Sequence, residues 1–325
     1  MLRWRMRSEK REVRGENIDL SVIILSYNTK DLLKQCLESV INGLTRLRIN
    51  ELEAEIIVVD NGSTDGSVDM IKGTIIHNTK FKIRLIENQT NLGFAKGNNI
   101  GLKEAKGEYI LFLNSDTEIF PGALEKAVDY MKAHPQVGVL TAKTMLPSGE
   151  MDSDCHRGFP TPWASISYFL GLERLFPKSR FFGQYHKFYL GLEQDHEIDA
   201  GAGAFMLVPK KVIDKVGDWD EKYFFYGEDL DFFYRIKKAG YKVMFYAMPL
   251  LKHYKGASSG LRKESKDIAK NSKENRIRLA KASVAAMEIF YKKFYKNIYP
   301  NWLTFLVLSA IKIKGSLRVL KHYLS

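Results

Sequence analysis

The strongest constraint in this chain is an alternation of short apolar runs, most of them closing on a polar group, with helix-like segments. Ser21-Val-Ile-Ile-Leu-Ser26 leads to Tyr27-Asn28, and Glu55-Ile-Ile-Val-Val-Asp60 to Asn61-Gly-Ser63. Ile83-Arg-Leu-Ile86 is a third run, and Tyr109-Ile-Leu-Phe-Leu113 a fourth that ends in Asn114-Ser115-Asp116. Between and after them, 31–41, a short stretch from Ser67, 95–105 and a segment from Pro121 through Met131 read as helices. Continuous apolar runs suit strands buried on both faces of a parallel sheet, and this alternation implies βαβ units. The expected class is α/β: a Rossmann-like, mostly parallel central sheet flanked by helices. Carboxylates and amides at successive strand ends would then gather at the carboxyl edge, where open sheets bind ligands. Such a cluster suits a diphosphate held through a divalent cation.

With 325 residues and 45% hydrophobic content, the chain can bury a sizeable core. Its two cysteines, Cys36 and Cys155, are too few for a disulfide framework and read as idle thiols in a reducing compartment. Residues 1–17 are charged throughout and do not form a secretory signal. No window approaches the ~18 apolar residues of a spanning helix, so a cytoplasmic protein is expected.

The net charge of +12 is concentrated at the ends. From Lys252 onward there are 17 basic and 4 acidic residues, and over residues 1–14 there are 6 and 2, which leaves a mildly acidic body. The C-terminal stretch also carries Phe290, Tyr291, Phe294, Tyr295, Tyr299 and Trp302. It closes with the apolar run 302–311, followed by Lys312, Lys314, Arg318 and Lys321. That run suits a helix lying at a membrane surface. A helix packed on the domain with a solvated basic face explains it as well. No nucleic-acid-binding motif accompanies the charge, so nucleic acid is not an expected partner.

Individually the motifs are weak. Asp60 at a strand end can accept from a base or ribose donor, but an Asn-Gly-Ser turn uses such residues anyway. In Asn91-Leu-Gly93-Phe94-Ala-Lys96-Gly97-Asn98-Asn99-Ile-Gly101 the glycines recur every four residues along one helix face. Close packing of helix on sheet accounts for much of that. The helix N-terminus and Lys96 near phosphate would account for the rest. Asp116 after a buried strand suffices for Mg²⁺ or Mn²⁺, which complete their shells with water and substrate phosphate; an Asx-type turn before Pro121 is the plainer explanation.

The second half adds small residues, Gly201 and Gly203, at the entry to a strand read over 198–208. Trp219-Asp220 follows, then Tyr223-Phe-Phe-Tyr-Gly227-Glu228-Asp229-Leu-Asp231 at a helix start. Acids in a first turn ordinarily complement the helix dipole. Two adjacent acids fenced by aromatics also make the setting a general base needs. His253 follows a strand read over 241–247 and is either a lone surface histidine or a metal ligand.

Taken together, 21–28, 58–67, 91–98, Asn114-Ser-Asp116 and Gly227-Glu-Asp229 resemble, in order and spacing, an inverting family 2 glycosyltransferase with the GT-A fold. The likeness is greatest to the rhamnosyltransferase-like branch and runs from Leu20 to about Gly260. It implies a nucleotide-binding half (19–118), an acceptor half (119–260) with an insertion at 155–197, a basic extension (1–18) and a helical basic tail (261–325). It implies that Ser26, Tyr27, Asn28, Asp60, Asn61 and Ser63 cradle the nucleoside. Asn91, Gly93, Phe94, Lys96 and Asn98 would lie against the nucleotide, with Asn114 and Ser115 beside it. Asp116 and His253 would hold the divalent metal, Asp229 would be the catalytic base, and Glu228 would orient base or acceptor. Gly201, Gly203, Trp219 and Asp220 fall on the acceptor side. Many relatives carry Asp where Asn114 stands, and an amide is the weaker metal ligand.

The implied reaction is transfer of a sugar from a dTDP- or UDP-linked donor, dTDP-rhamnose first, to a hydroxyl of a cell-surface or lipid-linked glycan. A dinucleotide oxidoreductase or a pyrophosphorylase would want a Gly-rich turn where Tyr27-Asn28-Thr29-Lys30 stands. A non-catalytic nucleotide-sugar or membrane-surface binding protein on the same fold is the alternative. The tail also allows peripheral attachment to the inner face of a membrane.

Overall fold

A computed structural model describes residues 18–49, 52–77, 81–256 and 273–324. The basic extension and the boundary expected at 260 fall outside the described residues, apart from Ile18.

All four expected strands form: β1 (Leu20–Ser26), β2 (Ala54–Asp60), β3 (Lys82–Glu87) and β4 (Tyr109–Asn114). They pair in parallel in the order β3-β2-β1-β4, with Ser26 opposite Asp60 and Leu25 opposite Asn114. That register brings the polar residues after each strand to one edge. The layers explain why the runs are apolar at every position. Val22, Ile24, Ile56, Val58, Leu111 and Leu113 point into one core cluster. Ile23, Ile57, Val59, Ile110 and Phe112 point into another on the opposite face. Side chains alternate along a strand, and helices cover both faces, so neither set is polar. Helices Lys30–Ile49 and Ala123–Ala133 cover the first face; Phe94–Glu104, Lys210–Val216 and Glu228–Lys238 cover the second.

The sheet continues through β5 (Thr117–Ile119), β6 (Val137–Met145), β7 (His196–Glu197), β8 (Phe205–Pro209) and β9 (Lys242–His253). The order is β4-β8-β6-β9-β5, with β7 on β9. β8 is antiparallel to β4 and β6, while β6 and β9 are parallel, so this half is mixed. Two expected boundaries move. The strand read over 198–208 begins only at Phe205, because the small residues before it form an irregular passage. The strand read over 241–247 runs on to His253, carried past Ala247 by register shifts against β6.

The insertion is built from helices Pro162–Phe169 and Leu172–Leu175 and a 3-10 turn Phe188–Leu190, joined by ring contacts. Elements that short hold too few turns for a hydrophobic period to show. In the tail, helices Lys273–Phe294 and Asn301–Leu324 pack on each other and on the domain. Phe290, Tyr291 and Tyr295 close over Tyr223, and Lys293 Nζ reaches both Asp220 and Asp231 at 2.6 Å. No helix among the described residues is long and apolar enough to cross a membrane.

Candidate active site

The loops after β1 and β2 are locked together. Asn28 adopts the left-handed conformation (φ 52°), which its side chain tolerates. Its Oδ1 accepts from Thr64 N at 2.8 Å, and its N–H donates to Ser63 Oγ at 2.9 Å. Asp60 Oδ1 accepts from Gly62 N and Ser63 N at 3.1 and 2.8 Å. Its Oδ2 is buried and has no hydrogen-bond partner among the described residues. Asn61 is consumed by the fold: it donates to Asn91 and to Gly93 O, and accepts from Asn88 and Leu92 N. Ser26, Thr29 and Ser115 form a buried hydroxyl chain, at 3.0 and 2.9 Å, that ties the ends of β1 and β4.

Gly93 opens the Phe94–Glu104 helix with φ 89°, and a Cβ there would stand 2.5 Å from Phe224 O. The following amide, Phe94 N, donates to that same oxygen at 2.9 Å. Gly97 and Gly101 have the packing role: a Cβ on them would lie 2.5 Å from Leu25 and 2.7 Å from Ile23. Asn98 bonds back to Phe94 O at 3.0 Å, and Lys96 faces solvent.

Nine of the expected donor residues line one open cleft: Ser26, Tyr27, Asn61, Asn91, Gly93, Phe94, Asn114, Ser115 and Asp116. Asn28, Asp60, Ser63, Lys96 and Asn98 stand outside the lining. Phe224, Phe225, Asn275 and Leu279 complete the wall, the last two from the tail. A roomier trough beside Arg84, Ile86 and Lys103, lined in part by β3, gathers no comparable set of strand-end groups.

Asp116 and His253 meet because β5 and β9 pair antiparallel with Thr117 opposite His253. Both are buried, and His253 Nε2 stands 3.2 Å from Asp116 Oδ1. On the far side, Nδ1 faces Asp152 Oδ2 at 3.5 Å, and neither atom makes a hydrogen bond among the described residues. Lys255 in turn pairs with Asp152 and, at 2.5 Å, with Asp154. Burial opposes the charged imidazole, but Asp116 and Asp152 overcome it and raise its pKa to about 9. The donor set suits a divalent cation: one carboxylate oxygen, one ring nitrogen, and a second carboxylate oriented toward the other ring nitrogen. Among the described residues no cluster of three such ligands forms, so donor phosphate and water would have to supply the rest.

Asp229 and Glu228 open their helix after Tyr226 and Gly227, both with positive φ. Arg157 Nη2 donates to Asp229 Oδ2 at 2.7 Å and also to Gly201 O. Burial works against the guanidinium charge, yet Asp229, with Tyr185 and Asp154, more than offsets it and raises the Arg157 pKa. Glu228 is buried, and its Oε2 has no partner among the described residues; burial first, then the Asp229 charge, push its pKa up to about 8. Gly203 lies between Asp229 and Phe94, since a methyl there would stand 3.7 Å from Asp229 Cβ and 3.5 Å from the Phe94 ring. Gly201 has no such room, with Thr141 Oγ1 2.5 Å from a built Cβ. Trp219 is 2% exposed and stacks on Phe232 beneath the site, so its ring cannot meet an acceptor in this arrangement. Asp220 is tied to Lys293; burial raises its pKa, but the bonds and charges of Lys293 and Lys222 together lower it by more.

Arg157, Asp152, Lys255 and Phe224 were not foreseen from sequence, and neither was Asn99, which clasps Trp219 through both backbone groups. Asn99 carried a signal, as a second amide inside an apolar helix face, and Phe224 is one of the aromatics read as fencing the two acids. Arg157, Asp152 and Lys255 reach the site from segments with no motif.

A mixed α/β sheet with carboxylates, amides and a histidine assembled at its carboxyl edge is the architecture of the GT-A glycosyltransferases. The profile of glycosyl transferase family 2 matches residues 21–217, and the chain belongs to that family. It is 38% identical over 112 residues to an uncharacterized glycosyltransferase of Haemophilus influenzae, covering 34% of this chain and 42% of the relative. It is 36% identical over 115 residues to the poly(ribitol-phosphate) beta-glucosyltransferase of Bacillus spizizenii, covering 35% and 17%. A longer match, 26% over 230 residues, covers 68% of this chain and 62% of the low-salt glycan biosynthesis hexosyltransferase Agl10 of Haloferax volcanii. In each case the matched region is less than two thirds of the relative. Among solved structures, GalNAc-T7 with UDP, GalNAc and Mn²⁺ superposes with a TM-score of 0.57 at 17% identity, over 85% of this chain and 48% of that one. Staphylococcus aureus TarS gives 0.50 at 17%, over 86% and 45%. At these identities the likeness establishes the fold.

Proposed function

We propose that this chain transfers a sugar from a nucleoside-diphosphate donor, dTDP-rhamnose or a UDP-sugar, to a hydroxyl of a surface or lipid-linked glycan, with inversion at the anomeric carbon. The observation that carries the reading is that the donor cavity, the Asp116–His253 pair and the Arg157-braced Asp229 occupy one edge of one sheet. This reading assigns a nucleoside N–H or O–H to Asp60 Oδ2, which is buried and has no partner among the described residues.

In the reaction, the acceptor hydroxyl attacks the anomeric carbon as its proton passes to Asp229, and the bond to the diphosphate oxygen breaks. Arg157 holds Asp229 in position, while the raised pKa of Glu228 leaves that neighbour largely neutral near pH 7. Asp116 and His253 would hold Mg²⁺ or Mn²⁺, which, when bound, stabilises charge on the departing diphosphate. Asp152 orients the ring of His253 for that purpose.

Asp229→Asn tests the assignment. Nucleoside diphosphate binding by calorimetry stays within about twofold, while acceptor-dependent release of nucleoside diphosphate drops by ~10²-fold or more. Transfer at the native rate would remove Asp229 from the role. If the native chain releases no nucleoside diphosphate with any donor and acceptor pair, a non-catalytic binding protein is the better reading.

A further inference from the structure

The tail helix Asn301–Leu324 is apolar on two sides, and among the described residues the domain covers only one of them. Val307, Leu308 and Ile311 pack toward the Tyr223 cluster, and Gly315 presses on Val284. The opposite side carries Trp302, Leu306, Ile313, Leu317 and Leu320, each between 51% and 65% exposed. At about 100° per residue these five fall within an arc of roughly 60°. Lys312 borders the arc on one side, and Lys314 and Lys321 lie on the other. The helix contains no acidic residue.

The insertion supplies a second patch of the same character. Phe169, Leu170, Leu175, Phe176 and Phe181 are all at least half exposed, among the exposed cations Arg174, Lys178 and Arg180. The acid in that stretch, Glu173, is buried and paired with His186 at 2.5 Å. The two patches adjoin, because Lys314 Nζ sits 3.0 Å above the centre of the Phe169 ring. Separate sequence segments, neither carrying an exposed carboxylate here, thus share one apolar, cation-edged face.

We propose that the outer side of the Asn301–Leu324 helix and the Phe169–Phe181 segment together form a docking face for an anionic lipid bilayer. The apolar arc needs an apolar partner, and its cationic borders need an anionic one. Acyl chains beneath acidic headgroups supply both at the right depth. A second copy of the chain would satisfy the arc but bring like-charged borders together. The paired helix Lys273–Phe294 also contributes Asn275 and Leu279 to the donor cavity, so docking would hold that cavity next to the bilayer. This deepens the reading that the acceptor is lipid-linked and rests on it only for that purpose.

The test is co-sedimentation of the full chain with vesicles of phosphatidylcholine alone or mixed with phosphatidylglycerol. Binding is expected to the mixed vesicles only and to weaken at high salt. It should fall at least ~10-fold in Trp302→Ser/Leu306→Ser and, independently, in Phe169→Ser/Leu170→Ser. Lys312→Gln/Lys321→Gln, at exposed positions, tests the charge without touching the packing. All variants should keep nucleoside diphosphate binding, which separates this proposal from the enzymatic one. Equal binding to neutral vesicles, or no binding, overturns it. So does a stable dimer by light scattering that Trp302→Ser abolishes. Unaltered binding by the Phe169 variant overturns the two-part face.

Discussion

Arg157 and Asp229, 72 positions apart, form a 2.7 Å ion pair at the head of the Glu228–Lys238 helix, and the same guanidinium donates to Gly201 O. The carboxylate proposed to take the acceptor's proton is therefore braced by a cation from the insertion. Arg157→Met should lower the transfer rate by ~10–10²-fold, since a base out of line loses most of its effect. Donor affinity should change less than twofold. Steady-state kinetics beside calorimetry check this, and a faster variant would show that the arginine restrains Asp229 rather than serving it.

The Asp116–His253 pair predicts a metal dependence that can be measured without turnover. Asp116→Ala and His253→Ala should each weaken Mn²⁺-supported nucleoside diphosphate binding by tenfold or more, while binding without metal stays weak and unchanged. Asp152→Asn should fall between, since Asp152 acts on the ring and not on the ion. Identical titrations with and without Mn²⁺ in the native chain would end this assignment.

Glu228 gives a pH signature. Its pKa rises from 4.5 to about 8 through burial and the neighbouring Asp229 charge. Between those values the folded protein holds a proton that the unfolded chain has released, so the stability linked to Glu228 declines as pH rises through the window, and that contribution is gone above about 8. Glu228→Gln, a permanently neutral mimic, should match the native chain near ~pH 5 and melt several degrees higher near ~pH 9. Parallel melting curves at both pH values would refute it.

Gly93→Ala is expected to cost ~1–3 kcal/mol, because φ 89° and the 2.5 Å approach to Phe224 O both exclude a methyl group. Urea unfolding reads the loss. Gly203→Ala, in ordinary van der Waals surroundings, should be nearly neutral for stability by the same measurement.

Lys293→Met should destabilise the chain by about 3 kcal/mol, since it strips one partner from fully buried Asp231. The Arg235 bond to that carboxylate at 2.6 Å limits the damage. Thermal denaturation of the variant checks the figure, and an unchanged melting point would mean the tail helix docks by its aromatic cluster alone.

What could be read from the chain was whatever has a local period or a local stop. β1, β2 and β4 announce themselves because strands covered on both faces must be apolar at every position, and their polar endings mark the sheet edge. The glycines at 97 and 101 were legible as packing for the same reason: spacing along a helix maps onto one face. The insertion was not legible. Its elements are one or two turns long, and its stability comes from ring contacts such as Tyr168 on Tyr185 that leave no periodic trace.

The sequence by itself determined the α/β class, the four parallel strands and the edge on which polar groups collect, since hydrophobic period and turn chemistry are properties of neighbours. Only the tertiary structure decided which of those groups stay open and which the fold consumes. Asn61 is spent on four bonds while Asp60 keeps an oxygen free, Trp219 and Asp220 belong to the packing, and Arg157, Asp152 and two tail residues enter the site unannounced. The physical reason is that a side chain's hydrogen-bond and charge partners come from whatever the chain packs beside it, at any distance in sequence.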